Sequence, residues 1–255
     1  MQILLPPSET KRDGGTGPAL NLDGLSNPVL AGVRRDVLDA VRALSRDETV
    51  AARALKLGAK AAATEIARNR AVEHSPTMPA IERYTGVLFD ALAVQEWESD
   101  ARRRASRHLI LHSALFGLLT ADDLIPAYRL SHDSRLPGAT LKSHWAQPNA
   151  SVLRSLDVPL IDLRSAGYAA LGPLPDCDDA VTVRVVAVGD DGVVRALNHF
   201  NKKGKGEFVR ALLSAGPLPS SIDAVCRVST DLGWTLRRCA ARELELVVPG
   251  VLPPR

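Results

Sequence analysis

The sequence predicts a mixed α/β fold, a single α+β body around a mixed β-sheet. Three observations lead there. Short apolar runs alternate with stretches of helical periodicity along the whole chain. Residues 181–188, Val-Thr-Val-Arg-Val-Val-Ala-Val, lead into Asp190-Asp191-Gly192 and a second apolar run, the pattern of a hairpin. Residues 28–75 form a purely helical block inside this mixed chain. Composition fits such a fold. The 255 residues are 45% hydrophobic and 24% charged, enough to bury a sizeable core, which excludes a mainly disordered chain. No apolar run reaches the ~20 residues that cross a bilayer. The N-terminus has no basic flank of the kind a secretion signal carries. Cys177, Cys226 and Cys239 are odd in number and lack CxxC spacing, so neither a disulfide framework nor a zinc site is expected. The chain is read as one cytoplasmic domain over 1–255, with no metal and no cofactor.

In chain order, Gln2–Leu5 reads as a buried strand ended by Pro6-Pro7, and residues 8–27 as a glycine-rich loop. Val33, Val37, Leu38, Val41 and Leu44 recur at helical steps, with helices following at 48–55 and 60–69 on either side of Gly58. Residues 88–107 read as one helix, 109–111 as a strand, 141–156 as a helix and 158–163 as a strand. A lysine- and glycine-rich turn at 202–206 is expected to lead into a helix from Phe208. Residues 224–228 and 244–248 read as late strands.

Three constellations could carry chemistry. Pro6-Pro7-Ser8-Glu9-Thr10-Lys11 follows the first strand, where α/β proteins often place function. Its polar residues could hold a phosphate or sugar, or simply form a solvated turn. In Leu55-Lys56-Leu57-Gly58-Ala59-Lys60, two helices meet at a short turn. The free N–H groups of the second helix, with Lys56, Gly58 and Lys60, could hold a DNA phosphate. The pattern is similar to a helix-hairpin-helix, with Lys56 where a second glycine is expected; an ordinary helical hairpin is the alternative. Lys202-Lys203-Gly204-Lys205-Gly206, with Arg210 one turn on, concentrates three of the seven lysines of the chain. It offers point charge and close backbone approach to an anion, yet lacks the spacing of a phosphate-hydrolysing loop. His108 and His112 lack an accompanying carboxylate motif and are read as structural. Asp122-Asp123 and Asp178-Asp179 are read as turn or cap residues.

Several motifs also occur in a telling order. Pro7-Ser8-Glu9-Thr10-Lys11, Tyr84-Thr85-Gly86, His112-Ser113-Ala114-Leu115-Phe116-Gly117, Ala127-Tyr128-Arg129-Leu130, Trp145, Asp162-Leu163-Arg164-Ser165-Ala166-Gly167-Tyr168 and the 202–206 segment together resemble the YaaA family, also called UPF0246. The resemblance covers almost the whole chain. Ala114, Phe116, Ala127, Gly167 and Glu9 depart from the usual family residues and mark a divergent branch. The resemblance implies a cytoplasmic protein linked to peroxide stress and iron-driven DNA damage, with a mixed α/β body, a basic cleft and DNA as partner.

The functional reading is then a DNA-binding protein, duplex DNA being the expected partner, that grips the phosphate backbone without sequence preference. Lys11, Lys56, Gly58, Lys60, Lys202, Lys203, Lys205, Gly206 and Arg210 are the expected phosphate contacts. Ser8, Tyr84, Arg129, Ser165 and Tyr168 would line the cleft. The alternative is an enzyme acting on a nucleobase, nucleoside or damaged nucleotide, with Lys202 or Lys203 as nucleophile and Glu9 as acid or base. A third reading is a protein that binds a nucleotide-like small molecule without catalysis. No membrane partner is expected.

Overall fold

A computed structural model describes residues 1–188, 194–196 and 200–248. It confirms the mixed α/β class. The chain opens with β1 (Gln2–Leu5), then the helices α1 (Ala31–Leu44), α2 (Glu48–Ala54) and α3 (Ala59–Arg70). A short ribbon strand β2 (Met78–Pro79) precedes α4 (Ala80–Arg83), α5 (Val87–Leu92) and α6 (Ser99–His108). Next come β3 (Leu109–Ser113), β4 (Gly117–Thr120), β5 (Leu124–Ile125), α7 (Leu141–Ser155), β6 (Leu160–Asp162) and α8 (Ala166–Ala169). The last part is β7 (Ala180–Val188), β8 (Val194–Ala196), α9 (Phe200–Ala215), α10 (Ile222–Asp231), β9 (Thr235–Ala240) and β10 (Glu243–Val248).

The main sheet has the order β4-β3-β1-β6-β7-β10-β9, with β8 beside β7, and β2 pairs with β5 apart from it. Five strands, β3, β1, β6, β7 and β10, run parallel. Antiparallel β4 and β9 close the two edges. Parallel strands need both faces covered, and the register shows how. Leu4 aligns with Ile110 and Asp162, so these side chains share a face with His112 two residues on. That face meets α7, whose Asn149 reaches His112. The opposite face carries Ile161 and, by alignment, Val181, Val183 and Val185, and it meets α9, where a Cβ on Gly204 would stand 2.5 Å from Val248. One hydrophobic cluster runs from Ile3 to Val248 and takes in Val37, Leu38, Val41, Leu55 and Ile66 of the helical block.

Four readings of the sequence need correction. The 202–206 segment is not a turn before a helix; it lies within α9, which begins at Phe200. Glycine disfavours helix interiors by about 1 kcal/mol, but here contact decides. A Cβ on Gly206 would approach the Leu88 carbonyl to 2.3 Å, so the glycines let α9 lie against α5 and the sheet. Residues 224–228 are not a strand but part of α10. Ile222, Val225 and Ser229 are its buried residues and the Ser221 side chain caps its start, and a five-residue window cannot separate the two periods. The helix expected over 88–107 is two helices, parted at Ala93, which adopts φ 49°. Strand β9 was not anticipated at all. The Asp190-Asp191-Gly192 turn lies outside the described residues, although β7 and β8 do pair antiparallel on either side of it.

Candidate functional site

β1 is the switch point of the sheet. The chain passes from it to β3 on one side and later returns to β6 on the other, and such points leave a crevice beyond the C-terminal strand ends. Three segments meet there: residues 6–11 after β1, 113–117 after β3, and 163–168 after β6. The loop after β1 is fastened by an isolated antiparallel bridge between Lys11 and Tyr84, with Arg12 N–H donating to the Arg83 carbonyl at 2.8 Å and Thr85 N–H to that of Thr10 at 3.2 Å.

Lys11 is buried, 6% exposed. Its Nζ donates to the Ser8 and Glu9 carbonyls at 3.0 and 3.1 Å and lies 4.2 Å from the centre of the Tyr128 ring and 5.4 Å from that of Tyr84. Burial, reinforced by the Arg129 charge and partly offset by Glu65 and Glu9, pulls its pKa down to about 7. The tyrosines continue inward. Tyr84 Oη and Tyr128 Oη are 2.8 Å apart, Tyr128 Oη is 2.8 Å from Ser113 Oγ, and Ser113 Oγ accepts from the N–H groups of Leu115 and Phe116. Burial pushes Tyr84 up to about 12 and Tyr128 well above the usual tyrosine value, so this chain of hydroxyls stays neutral.

Arg129 closes the outer side. Its backbone exchanges two hydrogen bonds with the Asn69 side chain of α3 at 2.7 and 2.8 Å, and its Nη2 meets Glu9 Oε2 at 2.6 Å. The helical block therefore supplies one wall. Tyr168 of α8 is buried, its ring centre 5.1 Å from that of His132 and 5.9 Å from that of His112. Gly167 just before it allows this packing: a Cβ there would stand 2.4 Å from the His132 ring, so His132 leaves no room for a larger residue.

A second buried network holds the segment after β6. Arg164 grips Asp162 with Nε to Oδ1 at 2.8 Å and Nη2 to Oδ2 at 2.6 Å, and also reaches the Gly172 carbonyl. Its Nη1 is 2.7 Å from His112 Nδ1. A guanidinium only donates, so Nδ1 is the acceptor in this contact. Burial and the Arg164 charge hold His112 well below the usual histidine range.

The expected contact residues divide into three groups. Lys11, Glu9, Tyr84, Arg129 and Tyr168 gather at the strand ends, with Ser8 half-buried and Ser165 exposed at the rim. Lys205 joins them from α9 but points inward: it is 6% exposed, donates to the Leu163 carbonyl at 2.8 Å, and burial lowers its pKa to about 8. Elsewhere on α9, Lys202 and Lys203 are exposed, Lys203 pairs with Glu207, and Arg210 pairs with Glu96 at 2.7 Å. On the helical hairpin, Lys56 is ion-paired with Asp133, while Gly58 and Lys60 are exposed. Ser113, Tyr128, His112, Arg164, Glu65 and Arg68 belong to the centre but were not among the expected site residues. His112 and Ser113 lie on β3, Tyr128 and Arg164 in loops, and Glu65 and Arg68 on α3; what covers each of them comes from distant segments, although most fall within the motifs that carried the resemblance.

A mostly parallel sheet covered on both faces, with a buried polar centre beyond its strand ends, defines an α/β protein of the kind that uses its switch point. A family model described as "Peroxide stress protein YaaA" matches residues 1–233. The chain is 40% identical to a UPF0246 protein of Corynebacterium efficiens over 97% of its own length and 100% of the relative. It is 44% identical to one of Corynebacterium glutamicum strain R, over 83% of this chain and 84% of the relative, and 38% to one of Streptomyces coelicolor, over 92% and 91%. The chain belongs to the YaaA (UPF0246) family of peroxide stress proteins.

Proposed function

We propose that this protein binds the phosphate backbone of DNA without reading base sequence, in the service of peroxide defence, and that the hairpin of α2 and α3 is its principal contact. The observation that carries this reading is the open N-terminus of α3. Gly58 occupies the N-cap with no side-chain hydrogen bond to the helix, so the first N–H groups of α3 and its positive dipole end face outward. Lys56 adopts φ 55°, the left-handed conformation that a glycine takes freely in such a turn. Three exposed cations surround the hairpin, Arg53, Lys60 and Arg135, and none has a carboxylate partner among the described residues; Arg135 is tied to it by its N–H on the Ala54 carbonyl at 3.0 Å. With about three phosphates neutralised, log K should fall with log salt at a slope near −3. Fluorescence anisotropy on duplexes of unrelated sequence tests this. Equal affinities with that slope support the reading; a flat salt response, or tight binding to one sequence alone, defeats it.

A further inference from the structure

The buried centre around Lys11 contains charged groups whose hydrogen-bonding capacity the protein does not use. Among the described residues, Glu65 Oε2, Arg68 Nε and Arg129 Nε are buried atoms with no hydrogen-bond partner. All three belong to groups whose charges act on Lys11. Their other atoms are engaged: Arg68 with Glu65 Oε1 at 2.6 Å and with Asp13, Arg129 with Glu9. Folded proteins leave few such atoms unsatisfied, and each costs about 1–3 kcal/mol, more when charged. Their concentration at one switch point is therefore informative.

The chemistry of the orphans selects a ligand. Two are guanidinium N–H donors and call for anionic oxygen. The third is a carboxylate oxygen, which repels an anion and calls for an O–H or N–H donor. A simple anion satisfies the first two and leaves Glu65 unmet; a molecule that carries both a phosphate and a free hydroxyl satisfies all three.

We propose that the polar centre around Lys11 binds a small hydroxyl-bearing phosphate monoester, of the class of a sugar phosphate or single nucleotide. The phosphate takes the Nε–H groups of Arg129 and Arg68, and a hydroxyl donates to Glu65 Oε2. This site takes Glu65 and Arg68 from the C-terminal half of α3, away from the helix N-terminus at Gly58, and does not depend on that N-terminus binding DNA. It carries a proton signature. The charged and titratable groups facing Lys11 are Arg129, Glu65, Glu9, Arg68 and the two tyrosines. Because Lys11 is held near neutrality by burial, a phosphate dianion arriving beside it favours the ammonium form, so binding at pH 8 takes up a proton.

Isothermal titration calorimetry on the full-length chain tests this, with deoxyribose 5-phosphate and inorganic phosphate as probes, each in two buffers of different ionisation heat. The expected result is saturable binding of the sugar phosphate, with uptake approaching one proton, at least about tenfold tighter than inorganic phosphate. Arg129→Gln should weaken it by a similar factor, and Glu65→Gln should narrow the gap between the probes. Lys11→Met should remove the proton uptake; if that variant does not fold, the buffer comparison on the unaltered protein still reports it. Absence of saturable binding, which is the result if ordered water alone meets the orphans, overturns the proposal. So does binding without proton uptake, equal affinity for both probes, or indifference to Arg129→Gln. A Lys60→Glu variant run beside these should lose duplex binding and keep the sugar phosphate. Failure of the hairpin reading and failure of this one thus give different patterns.

Discussion

The strand-end centre and the α2–α3 hairpin place charge in opposite ways. At the centre, Lys11, Arg164, Lys205 and Asp162 are nearly removed from water, so each charge is fixed by a partner or pushed toward neutrality. At the hairpin, Arg53, Lys60 and Arg135 are in solvent, cost little to keep charged, and contribute little to stability. The difference teaches that burial divides the charges of one chain into two kinds: partnered groups fixed in a pre-arranged centre, and solvated groups whose fields salt screens.

The comparison breaks most sharply at Asp162. Asp162→Ala strands the Arg164 guanidinium, whose side chain is 0% exposed, and removing one partner of a buried pair costs about 3–5 kcal/mol. Urea unfolding should show this as a large fall in midpoint; a loss within the ±0.5 kcal/mol range of surface substitutions would mean that the centre is wetter than it looks. Tyr128→Phe comes next. It leaves Tyr84 Oη without its partner and Ser113 Oγ without one of its three, for about 1–3 kcal/mol, read by the same titration. Gly167→Ala should cost a comparable ~1–3 kcal/mol by overpacking. The second change His132→Ala should recover much of that loss, since the His132 ring is what the new Cβ meets.

pH sharpens the contrast at smaller scale. Lys11 and Lys205 titrate lower in the folded chain, about 7 and about 8, than unfolded lysine near 10.4. Between those values the unfolded chain binds more protons, so stability rises as pH rises from 7 toward 10, by at most ~1.4 kcal/mol per pH unit per lysine. Above about 10 the raised tyrosines act the other way, because they ionise first in the unfolded chain. Thermal melts from pH 7 to 10 should rise, and Lys11→Met should flatten the lower part of that rise; Lys60→Glu should leave it untouched.

The smallest effect on stability is expected at Gly58. Its φ is −72° and nothing lies within 4 Å of a Cβ placed there, so for Gly58→Ala the entropy removed from the unfolded chain opposes the poorer capping by alanine, and stability should change by less than about 1 kcal/mol. If the hairpin brings a phosphate against the α3 N-terminus, the same change should still lower duplex affinity several-fold, as anisotropy would show. Unchanged affinity would place the phosphate on the side chains alone.

Much of the molecule was legible in the sequence. β1 falls on its expected residues, and α2, α3, α7 and β7 within one at either end, because long periodic runs with clear caps and breakers leave little choice. The site was legible in part. Lys11, Tyr84, Arg129 and Tyr168 were expected together, yet their partners Glu65, Arg68, Tyr128 and Ser113 were not. A charged residue on a helix reads as solvated until the fold shows what covers it. The 202–206 segment is the clearest case: glycines and lysines spell a loop locally, and only the approach of α5 and β10 makes a helix of them.

By itself the sequence determined the class of fold, several of its longer elements and the family, since these rest on local periodicity and on motifs contiguous in the chain. Tertiary structure alone decided which charges are buried. Burial depends on what distant segments place over a side chain, and through desolvation it decides whether a lysine is a solvated cation, as at Lys60, or a near-neutral amine enclosed by tyrosines, as at Lys11.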